Sequence, residues 1–108
     1  MHMPGSPSAA IKRIAFAALL FGTTVVAGAA DIENGRQIYQ LHCVTCHGFD
    51  GAGVTPGTPD FRRGEGLRGS DVQIARAVRD GSTTQPSFAG ILKNRELLDV
   101  VAHLRTLF

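Results

Sequence analysis

Methionine is nearly missing from this chain, and its absence matters. Only Met1 and Met3 are present, so no residue beyond position 3 can offer a thioether to a metal. Tryptophan is absent, and tyrosine occurs once, as Tyr39. There are two cysteines and four histidines. With no third cysteine, and no pair at ligand spacing among His2, His42 and His103, a zinc ribbon cannot be assembled. No segment alternates as a strand does, so the βαβ frame of a thioredoxin-like dithiol is missing too. There is no internal repeat. No nucleotide loop, no nucleophile beside a base and no acid–base pair is evident, so the chain is not expected to be an enzyme.

An excess of charge is also lacking. From residue 31 to residue 108 there are nine basic and nine acidic side chains, and the surplus of the full chain lies in Lys12 and Arg13. Such a balance gives no reason to expect nucleic-acid binding. Residues 1–13 carry only those two charges, and residues 14–30 are apolar or small, closing on Ala27-Gly28-Ala29-Ala30 before Asp31. Positive, apolar, small is the order of a secretory leader, with cutting expected before Ala30 or Asp31. No cysteine closes the segment, which excludes a lipoprotein anchor. The 17 apolar or small residues sit at the lower limit for a membrane span. The expected organisation is a cleaved leader over 1–30 and one domain over 31–108, without a span after cleavage.

What is present is concentrated in five residues. Cys43-Val44-Thr45-Cys46-His47 reads Cys-x-x-Cys-His, the attachment signature of c-type haem. The two thiols add across the two vinyl groups of haem, giving two thioethers. The adjacent imidazole becomes the proximal iron ligand. One haem c is therefore the expected cofactor. Haem c is attached outside the cytoplasm in bacteria, so motif and leader agree on a periplasmic location. A domain of 78 residues has difficulty burying enough apolar surface alone. A covalently held apolar cofactor would complete its core.

The rest of the chain predicts helices and loops. A first helix is expected over 31–41, with Asp31 as N-cap and Ile38 and Leu41 on one face. An irregular loop with several glycines and two prolines follows His47. Residues 62–69 read as a polar connection. Ser70 caps a helix over 71–80, ended by Gly81. A second irregular loop over 81–90 contains Gln85-Pro86. A last helix over about 94–107 carries Leu97, Val100, Val101, Leu104 and Leu107 as its apolar stripe. The fold class is small and all-α.

Over the whole of 31–108 the chain resembles the class I monohaem cytochromes c of the short bacterial kind. Gly35 and Tyr39 stand where that family has a glycine and an aromatic in its first helix. Gly51 and Gly53 match its Gly-x-Gly loop. Pro59 resembles the proline whose carbonyl orients the proximal imidazole, and Phe61 sits where a haem-packing leucine is usual. The resemblance implies an all-α fold wrapped around one covalent haem. Three positions depart from it. Gln85 takes the place of the distal methionine. His103 replaces an aromatic of the last helix, where an interhelical packing role is expected, as a solvent-facing one is for His42. Lys93 replaces the usual Ser cap, which would shift the cap to Asn94.

Gln85 is the positional candidate for the sixth ligand, and its amide oxygen is weak and hard, suited to ferric iron. Water or an open site is the rival. The implied function is an exported carrier of single electrons between redox partner proteins, with room for a place as a subunit of a larger redox complex. The alternative is a haem protein whose open or weakly held sixth site binds small ligands such as NO or CO. A small peroxidase-like activity is a third reading, disfavoured because no distal acid–base histidine is placed for it.

Overall fold

The computed structural model describes residues 2–5, 15, 17–22 and 28–108. Most of the leader expected over 1–30, including Lys12 and Arg13, lies outside the described residues. Helix α1 spans Ile32–His42, a one-turn α2 spans Val44–His47, α3 spans Asp71–Asp80 and α4 spans Asn94–Leu104. A 3₁₀ turn covers Phe61–Arg63. No strand occurs among the described residues, and no helix there is long and apolar enough to cross a membrane.

Helices α1, α3 and α4 start where side chains satisfy free backbone N–H groups. Asp31 accepts the Asn34 N–H at 3.0 Å. Ser70 and Gln73 form a reciprocal pair: Ser70 Oγ accepts the Gln73 N–H at 3.2 Å, and Gln73 Oε1 accepts the Ser70 N–H at 2.9 Å. At α4 the cap is Lys93, not Asn94. An ammonium cannot accept a hydrogen bond. The end is held instead by Glu96, whose carboxylate accepts the Lys93 N–H at 3.0 Å. That half of the pair suffices, so no shift of one residue is needed.

Helix α4 is the centre of the fold and packs on both α1 and α3. Leu97, Val100, Val101 and Leu104 are buried on it against Ile38 and Tyr39 of α1, Ile74 and Ala75 of α3, and Phe61 and Leu67 between them. The stripe stops being helical after Leu104, earlier than its periodicity suggests. The Thr106 N–H bonds to His103 O at 2.9 Å and the Leu107 N–H to Leu104 O at 3.1 Å, so the end tightens to 3₁₀ spacing. Leu107 still reaches the core from this turn. Arg105 clasps the connection before α3, donating to Leu67 O at 2.6 Å, Gly69 O at 2.8 Å and Asp71 Oδ1 at 3.0 Å.

The crossing of α1 and α4 depends on Gly35. A β-carbon there would lie 1.9 Å from the Asp99 carbonyl oxygen and 2.9 Å from the Val100 nitrogen. Both obstacles are backbone, so neither can swing aside. Next to this contact the buried Asp99 carboxylate accepts the Asp31 N–H at 2.7 Å and the Asn34 amide at 2.8 Å. One turn further on, His103 is buried against Tyr39, with ring centroids 5.1 Å apart. This is the interhelical packing role expected for it.

Two outcomes follow. Gly35→Ala should push the helices apart, cost about 3 kcal/mol and lower Tm by more than ~10 °C in a thermal melt. The second concerns His103. Burial and the Arg36 cation hold its imidazole below the ordinary 6.5, with Glu33 opposing. The unfolded chain then takes up the proton more readily than the folded one. Stability is complete above pH 6.5 and declines as pH falls through that value toward the lower folded pKa. In His103→Phe the Tm lost between about pH 8 and about pH 5 should be smaller than in the wild type.

Candidate functional site

The short helix α2 and the two loops enclose one cavity of about 480 Å³. It brings together Cys43, Cys46 and His47, as well as Pro59, Phe61 and Gln85. All the site residues expected from sequence therefore line a single hollow. Its apolar walls come from Ile74 and Val78 of α3, Val100 and Leu104 of α4, and Phe61 and Phe88. Among the described residues no Asp, Glu, Lys or Arg lines it.

The motif is held in place by its own backbone. Cys43 ends α1, its N–H bonded to Tyr39 O at 2.8 Å, and the chain re-enters a helical turn up to His47. The loop beyond folds back on that turn: the Gly53 N–H bonds to His47 O and the Val54 N–H to Cys46 O, both at 2.8 Å. Tyr39 adds a buried bond from its hydroxyl to Gly48 O at 2.6 Å. Burial, with smaller contributions from Cys43 and Asp50, pushes the Tyr39 phenol up to about 12, so it stays a donor. Gly51, at φ +80°, lets the loop pass where a side chain would meet Leu107 at 2.8 Å and Phe61 at 3.0 Å.

Burial pushes the Cys43 thiol up to about 11. An attacking thiol of a redox dithiol needs the opposite shift. Nor do three His, Cys, Asp or Glu side chains gather as a metal cluster among the described residues. The metal-cluster alternative thus lacks support among the described residues, and the direction of the Cys43 shift runs against a redox dithiol.

His47 is half-buried, and its ring lies flat on Phe61, with centroids 4.6 Å apart and planes 14° apart. Its Nδ1 is buried with no hydrogen-bond partner among the described residues. The expectation that Pro59 orients the ring through its carbonyl is not met. Pro59 lines the cavity, but its oxygen lies toward Gly53, 3.5 Å from where a side chain there would begin. Here the ring stacks on Phe61, and no carbonyl accepts from its buried Nδ1 among the described residues. Burial lowers the His47 pKa, and the Gln85 amide opposes that shift. Gln85 therefore stands close to the imidazole it is expected to face.

This arrangement fits a flat, apolar, iron-bearing group. A half-buried imidazole with an unused ring nitrogen is a ready ligand, since a metal on one nitrogen leaves the other free to donate. The two thiols are on the same wall as that imidazole, and the hollow is free of charge.

Three features of the site were not expected from sequence. The buried Phe88 closes the cavity from the second loop, and the His42 ring meets its edge at 5.6 Å. His42 is exposed as expected, but it also joins the two sides of the cavity. The Tyr39 hydroxyl bond was the third. A lone aromatic before a Cys-x-x-Cys-His motif was the only available signal.

Comparison with known proteins agrees with the geometry. Residues 30–104 match the family described as cytochrome C oxidase, cbb3-type, subunit III. The chain is 28% identical over 93 residues to cytochrome c6 of Porphyra purpurea, covering 83% of this chain and 84% of that protein. It is 32% identical over 91 residues to cytochrome c6 of Thermosynechococcus vestitus, covering 81% and 80%. Among solved structures, the KustC0563 c-type cytochrome superposes with a TM-score of 0.61 at 26% identity, over 68% of this chain and 95% of that one. With the family matched over most of this chain, the chain belongs to that c-type cytochrome family and is a small class I monohaem cytochrome c.

Proposed function

We propose that this protein is an exported electron carrier that holds one haem through thioethers to Cys43 and Cys46, with His47 as its proximal ligand. The carrying observation is the single uncharged cavity that presents both thiols and the imidazole together. Bound there, haem would supply a one-electron iron couple. The chain's own part is to ligate, to exclude water and to lower the dielectric. Pro59 and Phe61 bound the proximal side, and Phe61 stacks on the imidazole. The cytochrome c6 relatives support a carrier. The leader over 1–30 would be removed and residues 31–108 released to the periplasm. Donor and acceptor are redox proteins, and the family's description supports a place as a subunit of a larger redox complex.

A single measurement tests attachment and cleavage. The mass of the exported, denatured protein should equal the polypeptide from Ala30 or Asp31 plus one haem. A protein that keeps Met1, or that loses its colour to acid–acetone, would refute it.

The distal side supports a second reading. Gln85 lines the cavity where relatives of this class place methionine, and no thioether exists beyond Met3. An amide oxygen at the sixth position is a weak ligand, so the reduced protein would admit CO or NO. Gln85→Met should bring in the sulfur-to-iron charge-transfer band and raise the reduction potential. A tenfold gain in preference for the ferrous state corresponds to about 59 mV. Gln85→Ala should raise the ferric high-spin fraction. If Gln85→Ala leaves a purely low-spin spectrum unchanged, His42 or His103 becomes the candidate ligand.

A further inference from the structure

The second loop is tied almost entirely to itself and to the end of α3. The Gly81 N–H bonds to Ala77 O at 3.0 Å, and the Phe88 N–H returns to Arg79 O at 3.0 Å. Both ends of the loop thus rest on one helical turn. Ser87 reinforces the return: its hydroxyl donates to Arg79 O at 2.8 Å and accepts the Ala89 N–H at 3.2 Å. Between these anchors lies a tight turn centred on Ser82. Its N–H donates to Gln85 O at 2.9 Å, and its Oγ accepts the Gln85 N–H at 3.1 Å and the Thr84 N–H at 3.4 Å. Gln85 is therefore gripped at both its backbone groups by one residue. Gly81, at φ +72°, is pressed against the same turn. A side chain there would lie 2.6 Å from Gln85 O and 2.8 Å from the Ser87 nitrogen.

We propose that Ser82 is the positioning residue for the distal side: its hydroxyl and backbone hold Gln85 so that the Gln85 amide, and not solvent, faces the cavity. The inference rests on the reading of Gln85 as sixth ligand. Ser82 itself is exposed and lines the cavity mouth. It touches no ligand; it acts through the residue it grips. A weak ligand such as an amide stays bound only if its backbone costs little to hold in place. The hydroxyl acceptor is what this loop supplies for that purpose, because Thr84 and Gln85 would otherwise have two N–H groups pointing at water.

The ferric high-spin fraction of the haem-loaded protein, read by absorption and electron paramagnetic resonance, tests this. Ser82→Ala should raise the ratio of high-spin to low-spin forms about fivefold, the population factor of one ordinary hydrogen bond. Ser82→Thr, which keeps the acceptor, should restore the wild-type spectrum. In a Gln85→Ala background Ser82→Ala should add nothing, because no amide is left to position. The proposal is overturned by a Ser82→Ala spectrum equal to wild type while Gln85→Ala shifts it, or by an added shift from Ser82→Ala in the Gln85→Ala background. If Gln85→Ala itself changes nothing, the reading of Gln85 as ligand has failed instead, and Ser82 has no ligand to position. A loss of melting temperature alone, without the spin-state change, also refutes it, since a merely structural turn would produce that result.

Discussion

The backbone of α4 lies against α1 at Gly35, and the remaining geometry is set from that contact. Two helices cannot approach this closely with a side chain between them. Once they do, Asp99 is carried inside and must be satisfied, which it is by the start of α1. The same crossing places Tyr39 under His103 and aims its hydroxyl at Gly48. Gly48 directly follows the Cys-x-x-Cys-His motif. One glycine thus governs where the thiols and the imidazole stand, although it is far from them in chemistry.

The cavity then completes the argument about size. A domain of this length has few large side chains, and its buried aromatic ones are spent on the site: Phe61 behind the imidazole, Phe88 at the closing loop, Tyr39 at the seat of the motif. The aliphatic faces of α3 and α4 point at the same hollow. The protein core and the cofactor site are one surface. Loss of the cofactor is therefore expected to be a loss of core, in the sense that small domains need an added element to fold.

Much of this was legible from residue patterns. The Ser70 cap, the stop at Gly81 and the stripe of α4 are local signals, and each agrees with the structure to within a few residues. The motif was legible because its chemistry is local too. What escaped depended on distant partners. Nothing in the sequence pairs Asp99 with Asp31, or Arg105 with Leu67 and Gly69. The segment 62–69 looks polar, yet it delivers Leu67 to the core after a 3₁₀ turn that Asp60 caps, accepting the Arg62 N–H at 3.0 Å. The cap of α4 was misplaced because Lys93 has no acceptor of its own and the carboxylate that serves it sits three residues on. The role given to the Pro59 carbonyl came from resemblance; here the imidazole stacks on Phe61 and its Nδ1 has no carbonyl partner among the described residues.

The clasp made by Arg105 bears on the order of events during synthesis. It follows the helix it completes, and every segment it ties has already been made. Arg105 reaches back 38 positions to Leu67, and Leu107 closes over Gly51. A nascent chain short of these residues has an open loop before α3 and an unsealed wall behind Phe61. Long-range closures of this kind come late, because chain entropy opposes them until their contacts exist. The connection before α3 and the wall behind Phe61 therefore close late, after the segments they join are in place.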